Sequence, residues 1–144
     1  MAPPPLIYAV GLGAGFVLEW LLPDTDLPGA LNLAGIALMI AATFLAVAFF
    51  GALRRARTPV DPYSPTSALV TTGPYRLSRN PGYLAMALLY AGIALVSDTP
   101  WAFATLIPAL LVIRYGVIAR EERYLERLFG EEYARYRSRT RRWI

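Results

Sequence analysis

The chain has 144 residues, a formal net charge of +4 and a hydrophobic content of 56%. The length fits one domain, and the hydrophobic content is high for a soluble protein of this size. Cysteine and histidine are both missing. Disulfides and thiol catalysis are therefore excluded, the commonest metal ligand and general base is unavailable, and we predict no metal site. All fourteen basic residues are arginine, which stays charged at any working pH and binds carboxylate or phosphate in a bidentate fork.

The apolar residues fall into four blocks, each close to the roughly 20 residues that a helix needs to cross the hydrocarbon of a bilayer. The blocks are Leu6–Leu22, Ala30–Leu53, Pro81–Val96 and Trp101–Ile118, of which the third is marginal in length. The first block lacks the basic segment and the cleavage site of a secretory signal. The sequence therefore predicts an all-α integral membrane protein with four transmembrane helices, the last two forming a helical hairpin.

Charged residues of opposite sign lie in different connections between these blocks. Acidic residues occupy the turns after the first and third blocks, at Asp24, Asp26 and Asp98. Arginines crowd the loop 54–80 and the tail 119–144. The positive-inside rule then places this loop, this tail and both chain termini in the cytoplasm. We expect the arginines to face anionic lipid headgroups and predict no nucleic-acid partner.

The first two spans and the connection after them carry few sequence features that predict more than their location. Gly11 and Gly15 form a small-xxx-small pair, which predicts close packing of the first span against another helix. Glu19 is predicted to lie at the membrane interface, near the end of that helix. The connection 54–80 is rich in proline but also holds apolar residues, so we predict a packed loop.

The fourth span is predicted to contain a kink at Pro108 and to extend beyond the membrane surface. Its helical pattern continues as far as Phe129, and Gly130 then breaks it. The segment Glu131–Arg139 predicts a second short amphipathic helix. The tail is therefore predicted to be a cytoplasmic helical extension.

Two stretches carry residues that are suited to chemistry. The first, residues 69–84, reads LVTTGPYRLSRNPGYL. Gly73 and Pro74 predict a turn, and Asn80 followed by proline predicts a helix start with Asn80 as the N-cap. The free N–H groups of such a start, beside Arg79, suit an anionic group. An ordinary capped helix with an interfacial arginine explains the same residues.

The second stretch runs from Arg114 into residues 121–136, which read EERYLERLFGEEYARY. Arg114 and Glu121 are seven residues apart, two turns of an α-helix, so we expect them to share a face. Arg114 lies inside an apolar block, where an unpaired charge is costly, so we expect it to pair with an acid or a ligand or to reach the interface. A solvated helix with Glu–Arg pairs explains the remaining charges.

Together these two stretches resemble the signature blocks of the isoprenylcysteine carboxyl methyltransferase family, which groups with the phospholipid methyltransferase-like membrane enzymes. The family pattern has a leucine-valine pair, a Gly-x-Tyr turn and Arg-His-Pro-x-Tyr at a helix start. After a helical hairpin it continues with Glu-Glu-x-x-Leu and Phe-Gly-x-x-Tyr-x-x-Tyr. The resemblance covers roughly the C-terminal half of the chain, and it implies a single membrane methyltransferase domain over residues 1–144.

The resemblance implies S-adenosylmethionine as the methyl donor, bound in a cytoplasmic pocket between the loop and the tail. The residues that it assigns to donor binding are Leu69, Val70, Tyr75, Arg79, Asn80, Tyr83, Leu84, Glu122 and Tyr133. A lipophilic acceptor is expected to enter from the bilayer. Arg114 and Glu121 are the candidates for catalytic residues that hold this acceptor.

The chain departs from the family pattern at two places. Asn80 replaces the usual histidine, so no imidazole base is available. Thr140-Arg141-Arg142-Trp143 replaces the usual Val-Pro ending. These departures resemble a bacterial branch, which implies the bacterial inner membrane. An arginine suits a carboxyl acceptor, which we slightly favour, whereas a glutamate can help to deprotonate an amine. The alternatives are a phospholipid amine N-methyltransferase and a non-enzymatic membrane protein that retains the fold.

Overall fold

A computed structural model describes residues 3–22, 26–60 and 65–144 of the chain. All regular secondary structure in these ranges is helical, as the sequence predicts. The α-helices are α1 (Pro4–Leu21), α2 (Leu31–Arg55), α3 (Pro81–Val96), α4 (Trp101–Leu111), α5 (Ala119–Phe129) and α6 (Glu131–Arg139). A 3₁₀ turn covers Gly73–Arg76, and a π-helical segment covers Val112–Ile118. The predicted acidic position at residue 24 lies outside the described residues.

Within the described ranges, three helices are long and apolar enough to cross a membrane: Pro4–Leu21, Leu31–Arg55 and the continuous helix Trp101–Phe129. The fourth predicted span, Pro81–Val96, is a shorter apolar helix of 16 residues. At 1.5 Å per residue it covers about 24 Å, against about 30 Å of bilayer hydrocarbon. The structure therefore supports three spans and one shorter apolar helix, where the sequence predicts four spans.

The helices pack in two close pairs, and small residues make both contacts possible. A Cβ added at Gly15 of α1 would lie 2.6 Å from the Cα of Ala102 in α4. A Cβ added at Gly92 of α3 would lie 2.8 Å from the carbonyl oxygen of Gly35 in α2. Gly11 also faces α4, at 3.4 Å from the Cβ of Ala109. The packing role predicted for Gly11 and Gly15 is confirmed.

Large apolar side chains on the outside of these pairs are open to the surroundings. Trp20 is 81% exposed and Phe44 is 73% exposed. An outward surface of this kind matches lipid rather than water, because contiguous exposed apolar residues are uncommon on soluble monomers. At the end of the molecule away from residues 69–84, the Trp101 indole N–H donates to the carbonyl of Leu22 at 2.8 Å.

The helix that begins at Trp101 continues past the predicted end of the fourth span, as expected. Pro108 lies inside α4, and the π-helical segment starts four residues later. The helix runs on through α5 to Phe129. Gly130 then adopts a φ of +50°, a left-handed conformation that only glycine adopts readily. The predicted break and the short second helix are confirmed.

Candidate functional site

A cavity of about 820 Å³ lies at one end of the helices. Its walls come from the N-terminal prolines Pro3–Pro5, the second half of α2, the loop before α3, the start of α3, and helices α5 and α6. Most of the lining is apolar. Among the described residues, the charged side chains that line it are Arg79, Glu121 and Glu122. An apolar cavity with a few convergent polar groups is the usual form of a small-molecule site.

The structure brings most of the predicted donor-binding residues to this cavity, although they come from segments about 40 residues apart. Eight of the nine line it: Leu69, Val70, Tyr75, Arg79, Asn80, Tyr83, Glu122 and Tyr133. Leu84 is buried in α3 and does not line it. Donor binding by these residues stays a prediction, and the geometry places the eight within reach of one molecule.

The loop before α3 packs against α5 and α6, as the sequence predicts. The Tyr124 hydroxyl of α5 accepts a hydrogen bond from the backbone N–H of Thr66 at 3.3 Å. The Tyr136 hydroxyl of α6 donates to the carbonyl of Tyr75 at 2.7 Å. Gly73 has a φ of +61° and opens the 3₁₀ turn that aims Tyr75 toward the cavity. The predicted turn is confirmed, and these bonds tie the loop to the extension.

Asn80 occupies the position before α3, and Pro81 is the first helical residue, as predicted. The predicted capping hydrogen bond is wrong, because the Asn80 side chain makes no bond to the N–H groups of α3. Its amide instead donates to the carbonyl of Arg142 at 2.9 Å. The buried Ser78 hydroxyl accepts the backbone N–H of Asn80 at 3.0 Å. The Asn80 side chain therefore bonds to a backbone carbonyl of the tail and not to the start of α3.

Arg79 and Glu122, which line the cavity, form a charged group with Arg142, which lies behind them. The Glu122 carboxylate lies 3.4 Å from Nη2 of Arg79, and it accepts two hydrogen bonds from Arg142, at 3.0 Å and 2.5 Å. The side chains of Arg79 and Glu122 are only 10% and 11% exposed. Arg79 Nε and Nη1 have no hydrogen-bond partner among the described residues. An unsatisfied buried guanidinium is costly and is suited to an anionic ligand.

Glu121 lies beside this group and has a different environment. The Tyr83 hydroxyl donates to Glu121 Oε1 at 2.7 Å. Burial raises the pKa of the Glu121 carboxyl to about 7, the Tyr83 hydrogen bond opposes this rise, and the negative charge of Glu122 adds to it. The 29-residue helix Trp101–Phe129 exceeds the roughly 20 residues that the hydrocarbon requires. Its charged end, which contains Glu121, therefore extends beyond the hydrocarbon.

Arg114 is not brought to the cavity. Its side chain is exposed, and its guanidinium lies 5.4 Å from the centre of the Tyr115 ring. The expected shared face with Glu121 is not formed, because residues Val112–Ile118 between them are π-helical. A π turn bonds residue i to residue i+5 and so holds more residues than an α turn. A spacing of seven residues then no longer returns to the same side of the helix.

Two contributors to the site were not predicted from the sequence. Ser78 is fully buried and supports the backbone at Asn80. Arg142 is one of eight arginines in the tail, and only its position after the chain folds back distinguishes it from the others. No motif marks either residue as functional.

The apolar helices define a helical integral membrane protein, and a cavity lies at their charged end. The chain belongs to the phospholipid methyltransferase family, whose sequence pattern matches residues 31–132. That range includes the first segment that meets in the cavity and most of the second, and it ends just before Tyr133. An uncharacterized protein of Haemophilus influenzae is 42% identical over 62 residues, which are 43% of this chain and 98% of that protein. No solved structure matches the chain.

Proposed function

We propose that this protein transfers a methyl group from S-adenosylmethionine to a lipophilic acceptor at the membrane surface. One observation carries the proposal: two segments separated in sequence meet in a single cavity, and both lie within or next to the range that matches a methyltransferase family. The proposal treats residues 1–144 as one methyltransferase domain.

The residues of the cavity fit the donor chemically. The donor carries a carboxylate, and Arg79 lines the cavity with two buried guanidinium nitrogens, Nε and Nη1, that have no hydrogen-bond partner among the described residues. Its adenine is a flat aromatic ring whose faces pack well against apolar side chains, and Leu69 and Val70 supply such a wall. Its sulfonium is a cation, which carboxylates and aromatic faces attract, and Glu121 and Tyr83 lie on the same cavity. A volume of about 820 Å³ is within the usual range for small-molecule sites.

The protein has a limited chemical task in this reaction. The donor supplies the activated methyl group when it is bound. The chain must hold the acceptor atom in line with that methyl group and exclude water. The apolar lining from α2, which includes Ala46, Val47 and Phe50, provides a dry surface for a hydrocarbon acceptor.

The acceptor that the geometry favours differs from the one that the sequence slightly favours. A carboxyl acceptor needs a cation to hold it, and Arg114 was the candidate. Arg114 is outside the cavity, and Arg79 is next to Glu122. Glu121 would repel a carboxylate at the same place, whereas it would attract an ammonium group and can take its proton. We therefore propose an amine-bearing lipid, as in phospholipid N-methylation, ahead of a carboxyl acceptor.

The proposed membrane placement follows from charge and length. We propose that α3 is a fourth, short crossing element, with the cavity end of the molecule at the cytoplasmic face of a bacterial inner membrane. The loop 54–80 and the tail 119–144 would then lie in the cytoplasm, where positively charged segments are preferred. A cysteine-accessibility experiment on single cysteines introduced at Arg57 and at Asp98 tests this orientation, because the two positions should label from opposite sides.

Donor binding distinguishes an enzyme from a non-enzymatic protein with the same fold. Purified protein in detergent should show a higher melting temperature in the presence of S-adenosylhomocysteine, because a ligand that binds the folded state stabilises it. No stabilisation at millimolar ligand favours the non-enzymatic alternative. Incubation of membranes with methyl-labelled donor, followed by mass spectrometry of the labelled lipid, identifies the acceptor.

A further inference from the structure

The last five residues of the chain fold back onto the segment that opens α3. The backbone N–H of Arg79 donates to the carbonyl of Arg141 at 3.0 Å. The carbonyl of Arg142 accepts from the Ser78 hydroxyl at 3.2 Å and from the Asn80 amide at 2.9 Å. Three hydrogen bonds therefore join residues 78–80 to two consecutive tail residues.

Two further contacts hold this tail segment in place. Thr140 is buried, with 8% of its surface exposed. Trp143 packs against the main apolar core, which includes Tyr90 and Ile113. The segment is therefore seated by its backbone and by an apolar side chain, independently of the arginine side chains.

The side chain of Arg142 acts on a different partner from its backbone. Its guanidinium donates to both oxygens of Glu122, at 3.0 Å and 2.5 Å, in the bidentate geometry that is strongest for a carboxylate. Arg79 approaches the same carboxylate at 3.4 Å. Glu122 is thus bound mainly by Arg142, and Arg79 Nε and Nη1 have no hydrogen-bond partner within the described part of the chain.

We propose that Arg142 is a positioning residue of the donor site, a role that rests on the proposed function. By binding both oxygens of Glu122, it keeps Arg79 available for the anionic group of the ligand and holds Glu122 against the cavity wall. Without Arg142, the only remaining partner of Glu122 in this charge group is Arg79. The two would then pair with each other, and ligand binding would have to break that pair.

The first test compares donor-site affinity in two variants of matched chemistry. Arg142→Gln removes the pair with Glu122. Arg137→Gln removes an ion pair between α6 and the exposed Glu126 of α5, and neither residue of that pair lines the cavity. We expect Arg142→Gln to raise the Kd for S-adenosylhomocysteine, measured by calorimetry, about tenfold or more, as loss of hydrogen bonds to a charged group predicts. Arg137→Gln should bind like the parent protein, and Arg142→Lys should lie between.

The second test separates positioning from simple anchoring of the tail. In a Trp20→Phe, Trp101→Phe background, Trp143 is the one remaining tryptophan, and its acrylamide quenching reports whether the tail segment is seated. If Arg142 is a positioning residue, acrylamide quenching of Trp143 in the Arg142→Gln variant should match that of the background protein, while the affinity for S-adenosylhomocysteine falls. If quenching rises together with the loss of affinity, Arg142 anchors the tail and the positioning role is overturned.

The outcomes also distinguish this inference from the proposed function. If the parent protein does not bind S-adenosylhomocysteine, the proposed function fails and the role of Arg142 fails with it. If the parent protein binds and Arg142→Gln binds equally well, the role of Arg142 alone is overturned.

Discussion

The Tyr83 hydroxyl donates a 2.7 Å hydrogen bond to Oε1 of Glu121, which joins the first turn of α3 to the first turn of α5. The bond crosses the cavity wall between the two segments that carry the predicted site. It also opposes the main effect of burial, which raises the pKa of Glu121, because it stabilises the ionised carboxylate. Tyr83 therefore adjusts the pH at which Glu121 can accept a proton.

This relationship predicts a pH dependence of methyl transfer to an amine acceptor. Glu121 must be ionised to accept a proton, and its pKa is raised to about 7. The rate should therefore be low below that pKa and rise as pH increases through about 7. Glu121→Gln should lower the rate by about 10²-fold or more, the typical contribution of a general base, and should abolish the rise. Initial rates with the labelled donor between pH 5.5 and 8.5 measure both effects.

The control for this prediction is Tyr83→Phe. It removes the hydrogen bond that opposes the rise in the pKa of Glu121, so the rate profile should shift to higher pH while its shape is kept. A profile that stays in place in Tyr83→Phe, or a rise that persists in Glu121→Gln, would show that another group controls the rate.

A second prediction concerns donor binding by Glu122. Glu122→Ala leaves the buried Arg79 and the partly exposed Arg142 without their carboxylate, and breaking a buried ion pair is strongly unfavourable. We expect S-adenosylhomocysteine to stabilise this variant much less than the parent protein in a thermal unfolding assay. Glu126→Ala should respond like the parent, because Glu126 is on the exposed side of α5 and pairs with Arg137 of α6, away from the cavity. Equal loss in both variants would mean that the cavity has been assigned to the wrong residues.

Much of this site could be predicted because it rests on local signals. Proline after Asn80 fixed the start of α3, and Gly130 fixed the break between α5 and α6. The family resemblance then supplied the assignment that these two regions meet. The lengths of the apolar blocks were enough to predict the three long helices, whereas α3 is shorter than the span that was predicted for it.

The errors arose where a residue's partner lies far away in sequence or where the helix changes type. The carbonyl of Arg142 takes the Asn80 side chain away from the expected cap, and nothing local to Asn80 indicates this. The π-helical segment moves Arg114 out of register with Glu121, and hydrophobic periodicity does not distinguish one such turn from an α-helix. A tertiary contact therefore determines the partner of Asn80, and a π-helical segment determines the position of Arg114, and neither could be predicted from the local sequence.

A third prediction tests the close contact between α2 and α3. A Cβ at Gly92 would lie 2.6 Å from Met39 Cγ and 2.8 Å from the backbone oxygen of Gly35. Backbone cannot move aside cheaply, so Gly92→Ala should destabilise the protein by about 1–3 kcal/mol, the usual cost of overpacking. Gly13→Ala is the matched control, because an added Cβ there meets nothing within 4 Å. Thermal unfolding in detergent should show a lower melting temperature for the first variant alone.

A fourth prediction uses Arg114 to decide between the two acceptor chemistries. The Arg114 guanidinium lies over the exposed Tyr115 ring and does not line the cavity. Arg114→Gln should therefore leave donor affinity and the rate of methyl transfer within about twofold of the parent values, as expected for a surface change. If the acceptor were a carboxylate held by Arg114, this variant would raise the KM for the acceptor, because the cation that binds it would be missing. Glu121→Gln provides the contrast, since it should lower kcat for an amine acceptor through loss of the base. Measuring kcat and KM for both variants with the same lipid therefore separates an amine acceptor that depends on Glu121 from a carboxyl acceptor that depends on Arg114.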